Sequence, residues 1–154
     1  AEQTVDQMLD AGASCLQYFK EMLDIAKWLS PREWPDWRDD VCRTYDNERG
    51  IDLASLRGDA VMLQQQATAA RQAATDQSTA RTRVQAAWPD NAGRAAATTL
   101  DAHQKRSEPM ATVVERTATA AAAVPDAVVA AVAAKIAALS EFTTKDFDIG
   151  WGAV

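Results

Sequence analysis

The chain has 154 residues, enough for one domain with a real core and no need of disulfide or metal staples. Its 47% hydrophobic content is thinner than it looks, because 33 residues are alanine and only 40 are Val, Ile, Leu, Met, Phe, Trp, Tyr or Cys. Six Gly and five Pro are too few for a sandwich or barrel, and a net charge of -6 speaks against nucleic-acid binding, which needs phosphate neutralisation. Alanine is the best helix former, so an all-α helical bundle is expected. No run of about 18 uncharged apolar residues occurs and no basic-then-apolar leader opens the chain, so neither a membrane span nor a signal peptide is expected.

The first helix is read over about 4–29. Val5, Leu9, Gly12, Leu16, Phe19, Leu23 and Ala26 recur in alternating steps of four and three, the stripe of a bundle helix, widened by Met8, Cys15, Met22 and Leu29. Thr4 and Gln7 fit a capping box, and Ser30-Pro31 stops the helix. A corner rich in Trp and Pro follows, then a short helix over about 36–47, closed by Gly50. Trp28, Trp34 and Trp37 crowd this corner. They could form an exposed patch for a partner, but three indoles plugging one end of the core is the expectation, since large aromatics dominate burial. Cys15 and Cys42 could form one disulfide or could both be reduced.

Asp52 suits the N-cap of a long helix over about 53–87. Its seam runs Leu53, Leu56, Ala60, Leu63, Ala67, Ala70 and Ala74, then Gln77, Arg81, Val84 and Trp88, with the polar interruptions suggesting a wetter or partner-facing stretch. Pro89 ends it. Asp90 or Asn91 caps a return helix over about 92–123, whose seam is read as Ala96, Leu100, His103, Ser107, Met110, Val114, Thr117, Ala121 and Val124. Pro109 predicts a kink near 105–109, and Pro125 either a second kink or the start of a further helix to about 140. The expected organisation is a single helical domain over 1–141: an N-terminal helical extension over 1–50 and a long antiparallel hairpin over 52–141. Residues 142–154 read as a frayed tail and look like the cut end of a longer protein.

Catalysis has little to work with. His103 is the one histidine and has no triad-like neighbours, and no CxxC, HExxH, GxSxG, P-loop or GxGxxG motif is present. No catalytic residue, cofactor or metal is expected, and pairs such as Asp39-Asp40 and Asp146-Asp148 read as solubility charges.

Two alanine-rich amphipathic helices of similar length meet at Trp88-Pro89-Asp90-Asn91-Ala92-Gly93. This arrangement resembles the WXG helical-hairpin superfamily, the small substrates and partner proteins of type VII (ESX) secretion in actinobacteria, over residues 52 to about 146. In that family a Trp-x-Gly turn joins antiparallel helices. Trp88 matches the tryptophan, Asp90 stands where the glycine would be, and Gly93 follows three residues on. The family's export signal, Tyr-x-x-x-Asp or Glu, is echoed by Phe142 to Asp146, with Phe in place of Tyr. The resemblance implies a non-enzymatic protein, secreted or held at the cell surface by a route that needs no signal peptide. It would act by pairing with a helical protein, as a homodimer or heterodimer or with a secretion chaperone. An N-terminal trafficking or adaptor domain of a larger effector or toxin, and a cytoplasmic helical scaffold, fit the same residues.

Overall fold

The computed structural model describes residues 3–30 and 32–142. Among them every regular element is helical and there is no strand, so the chain is all-α. Helix α1 spans Val5–Gly12, α2 Gln17–Leu29, α3 Arg43–Tyr45, α4 Leu53–Ala87 and α5 Asn91–Ser140. The chain divides into two compact units, residues 1–53 with 126–154, and residues 54–125.

In the first unit the capping box forms as expected. The Gln7 amide donates to Thr4 Oγ1 at 3.2 Å, and the Thr4 amide donates to Gln7 Oε1 at 3.0 Å. The single helix expected over 4–29 is instead broken by a tight 3-10 turn at Ala13–Leu16. The break follows Gly12, whose missing side chain is filled by its neighbours. A Cβ there would lie 2.7 Å from the Tyr45 hydroxyl oxygen and 2.8 Å from Ile136 Cγ2. Val5 and Leu9 are fully buried, with Cys15 and Leu23 continuing the expected stripe.

Residues 37–48 form the short helix, but not as a regular one. The Asp36 carboxylate accepts from the amides of Arg38 and Asp39, both at 2.8 Å, and those two N–H groups hold its carboxyl below the usual carboxylate range. A wide turn over Trp37–Cys42 follows, with the Val41 amide reaching back to the Asp36 carbonyl, then α3 and a 3-10 turn at Asp46–Glu48. Gly50 closes the segment at φ +86°, the left-handed conformation only glycine adopts cheaply, and its amide donates to Asp6 at 2.8 Å. Arg49 bridges Asp10 and Asp46, each at 2.9 Å. From the end of α5, Lys135 donates to the carbonyls of Thr44 (3.3 Å) and Tyr45 (2.7 Å) and pairs with Glu48.

In the second unit, α4 buries Ala60, Ala67 and Ala74, one alanine every seventh residue, with Leu56, Leu63, Ala70, Gln77, Arg81 and Val84 half-buried between and beyond them. That is the seam expected for this helix. On α5 every second position moves by one residue. Leu100, Ser107, Val114 and Ala121 are half-buried as expected, but the buried partners in this unit are Ala97, Ala111, Ala118 and Pro125, with Gln104 half-buried. Ala96 is only half-buried, while His103, Met110, Thr117 and Val124 face outward, Met110 with 68% of its surface exposed. The seam prefers alanine because small side chains let helices approach closely, whereas a methionine at the same level would hold them apart.

Neither Pro109 nor Pro125 starts a new helix, and α5 runs unbroken through both. Pro109 is exposed; Pro125 is almost fully buried, so its packing offsets the one backbone donor it removes. By length and composition alone α5 is long and apolar enough to cross a membrane, and little of its most apolar stretch is buried. Within 117–140 its charges are Asp126 and Lys135.

Glycine substitutions separate close packing from free surface. Gly12→Ala is expected to cost about 1–3 kcal/mol, because Tyr45 and Ile136 occupy the new methyl's place. Gly58, on α4 with nothing within 4 Å, is expected to gain about 0.5–1 kcal/mol on change to Ala. Thermal unfolding of the two variants against the parent checks both signs.

Candidate functional site

The turn between α4 and α5 is built from a proline stop and an aspartate cap. Pro89 disfavours helix at Trp88, and the Asp90 carboxylate then accepts from the Gly93 amide at 2.9 Å while its carbonyl accepts from the Arg94 amide at 3.1 Å. Gly93 is buried directly against Trp88. A Cβ at Gly93 would lie 1.8 Å from the Trp88 carbonyl oxygen and 2.4 Å from Trp88 Cβ, which no small shift relieves. The backbone of Trp88 is thus held at the turn, but its indole is not covered: 61% of the residue is exposed, so the packing expected from the seam does not extend to this ring.

Beside the turn lies a cleft of about 530 Å³. Arg81 and Gln85 come from α4, Trp88 and Pro89 from the turn, and Arg94, Thr98 and Asp101 from α5. Arg81 pairs with Asp101 at 3.3 Å, and Lys105 pairs with the same carboxylate at 2.8 Å. The Lys105 ammonium, with Arg81 behind it, holds the Asp101 carboxyl below its ordinary range. Arg94 is held by neutral acceptors, the Pro89 carbonyl at 3.0 Å and the Asn91 side-chain oxygen. Deeper along the same two helices Ser107 donates to Gln77 at 2.6 Å and Arg71 donates to Glu115 at 2.7 Å.

The tryptophan corner of the first unit does not close into a plug. Trp28 is 83% exposed, with Met22, Ile25, Leu29 and Trp34 also exposed beside it in sequence and Trp37 half-buried. The Trp34 ring N–H is spent on the Ser30 carbonyl at 3.1 Å. Cys15 and Cys42 are free thiols rather than a bridge. Cys15 lies in the core against the Tyr45 hydroxyl, and burial pushes its thiol up from the ordinary value. Phe142 packs on Tyr18 and Phe19 with ring centroids 5.4 Å away in each pair, while Asp146 lies outside the described residues. His103 stands on an exposed face of α5, and among the described residues no group of three or more His, Cys, Asp or Glu could hold a metal ion.

The chain matches no family model, no curated protein and no solved structure. The cleft residues Gln85, Arg94 and Asp101 escaped sequence reasoning. The signal that could have found them is the division of charge. Residues 1–53 and 126–154 carry eight Lys or Arg against sixteen Asp or Glu, a net -8, whereas 54–125 carry eight against six, a net +2. Between 81 and 106 the balance is five against two, a net +3 on a chain of net -6.

Tyr45 offers a pH test of the first unit. Its hydroxyl donates to the Leu9 carbonyl at 2.9 Å, and burial, with Cys15 beside it, pushes its pKa from 10.0 up to about 12. Because the folded value is the higher, the stability is intact below pH 10.0 and falls as the unfolded chain ionises, until the folded phenol also titrates near 12. The loss across that window is about 2–3 kcal/mol. Tyr45→Phe is expected to be less stable at neutral pH by about 1 kcal/mol for the lost hydrogen bond, yet to lose less stability on going to alkali. Urea unfolding at a series of pH values checks this, and identical alkaline slopes in parent and variant would contradict it.

Proposed function

We propose that this protein is a non-enzymatic helical protein that works through protein–protein contacts, as a type VII (ESX) secretion-associated member of the WXG helical-hairpin kind. In this reading α4 and α5 pair as a long antiparallel hairpin. The ties within 54–125 support it: as the α4 partner advances from Arg71 to Gln77 to Arg81, the α5 partner retreats from Glu115 to Ser107 to Asp101. The observation that carries the reading is the turn itself, where Trp88 lies against a glycine that has no room for a side chain. Asp90 occupies the family's glycine position, so Gly93 would supply the missing close approach from the first turn of the next helix. The outward-facing Met110, Val113 and Val124 of α5 and Val61 and Met62 of α4 suit a chain that meets a helical partner. Pairing with a partner hairpin or secretion chaperone, and delivery out of the cell without a signal peptide, follow from the resemblance.

Secretion is the direct test. The protein is followed in culture filtrate with the type VII ATPase intact or deleted, and Asp146→Ala tests the tail signal separately. Loss of the protein from the filtrate on ATPase deletion is the expected result. Unchanged filtrate levels would remove the export reading and leave a helical scaffold or adaptor in its place.

A further inference from the structure

The cleft beside Trp88 is under-neutralised, and that sets it apart from the rest of an acidic chain. Asp101 is the one carboxylate in its lining, and it already serves both Arg81 and Lys105. Arg81 Nε is buried and makes no hydrogen bond. Arg94 is fixed in place by two neutral oxygens, so its orientation is set while its charge is left unmatched. Gly93 is committed to Asp90, so the charge at this end resides in guanidinium groups rather than in free helix amides. The Trp88 indole stands exposed on the cleft wall, supplying a flat apolar face next to those cations.

We propose that this cleft captures an acidic segment of a partner protein, whose carboxylates pair with Arg94 and Arg81 while a neighbouring apolar side chain lies on Trp88. Guanidinium forks match carboxylates with two parallel hydrogen bonds, and a planar aromatic beside them suits a mixed acidic and apolar peptide. A cleft of about 530 Å³ admits a few side chains rather than a folded surface. A nucleic-acid backbone is the poorer fit, since it calls for a long stripe of cations, and the net positive balance here is confined to residues 81–106 of a net-negative chain. The proposal stands apart from the export reading and is tested without it.

The probe is a short fluorescein-labelled peptide of Asp, Glu and Phe, titrated with the full chain and read by fluorescence anisotropy. Saturable binding that weakens as salt rises is expected. Arg94→Gln should weaken it roughly tenfold, the worth of one charge-assisted pair. Trp88→Ala should weaken it too, and Arg83→Gln, which removes a charge from the same end without lining the cleft, should change it by less than about twofold. Circular dichroism checks that each variant keeps its helix content; if Arg94→Gln unfolds the turn, Arg81→Gln and Trp88→Ala decide. The site is overturned by absence of saturable binding at low salt. It is equally overturned if Arg83→Gln weakens binding as much as Arg94→Gln, if a Gln and Phe peptide binds as well, or if oligothymidylate displaces the peptide at lower concentration than an unlabelled acidic peptide does.

Discussion

Everything in residues 54–125 depends on how closely its helices can approach, and that is set by alanine. Ala60, Ala67 and Ala74 on α4, and Ala97, Ala111 and Ala118 on α5, are, with Pro125, the buried side chains of the long helices in this unit. A methyl group buries little area, so each layer contributes little hydrophobic free energy. Length compensates, because the layer recurs at seven-residue steps along α4 and along α5 as far as Pro125. The thin seam also brings polar groups within reach of one another, and Gln77 meets Ser107 where a leucine layer would have kept them apart. Substituting any one of these alanines by a larger residue would therefore act through spacing more than through lost contact.

The residues of 1–53 and 126–142 are held by a different principle. Here one aromatic residue organises the packing: Tyr45 closes on Gly12 and reaches the Leu9 carbonyl, where α1 gives way to a 3-10 turn. Lys135 then joins α5 to the backbone of Thr44 and Tyr45 and to Glu48, so a charged residue completes a core edge that apolar packing leaves open. A half-buried ammonium is costly unless its donors are satisfied, and this one donates to two backbone carbonyls and to the Glu48 carboxylate. Removal of Lys135 would take this partner from the Glu48 carboxylate, whereas removal of Glu48 leaves the ammonium on the two carbonyls.

Chemistry on this chain sits at surfaces. The exposed indole of Trp28, the outward methionines and valines of the long helices and the basic cleft beside Trp88 are the features that could meet another molecule. Their characters differ, the first two being apolar and the third cationic with an aromatic wall.

Much of this was legible in the residue order. The Asp52 cap and the Pro89 stop set α4 at Leu53–Ala87, and periodicity set its buried alanines, because a continuous helix has one free parameter, the direction its stripe faces. The caps at Thr4, the stop at Pro89 and the left-handed Gly50 are local events, decided within four or five residues, and they too were readable. What the order could not settle was any choice made by distant partners. Whether α5 buries Met110 or Ala111 depends on how near its neighbour lies, and hydrophobicity by itself favours the wrong one. The break after Gly12 depends on Tyr45 and Ile136, far along the chain, competing for the space of a missing methyl. The cleft depends on Arg81 and Arg94 coming to one wall across a turn, with too few carboxylates to answer them. Local backbone chemistry determined the helices and their ends; side-chain volume and charge, summed over residues remote in sequence, decided which faces were buried and which were left exposed.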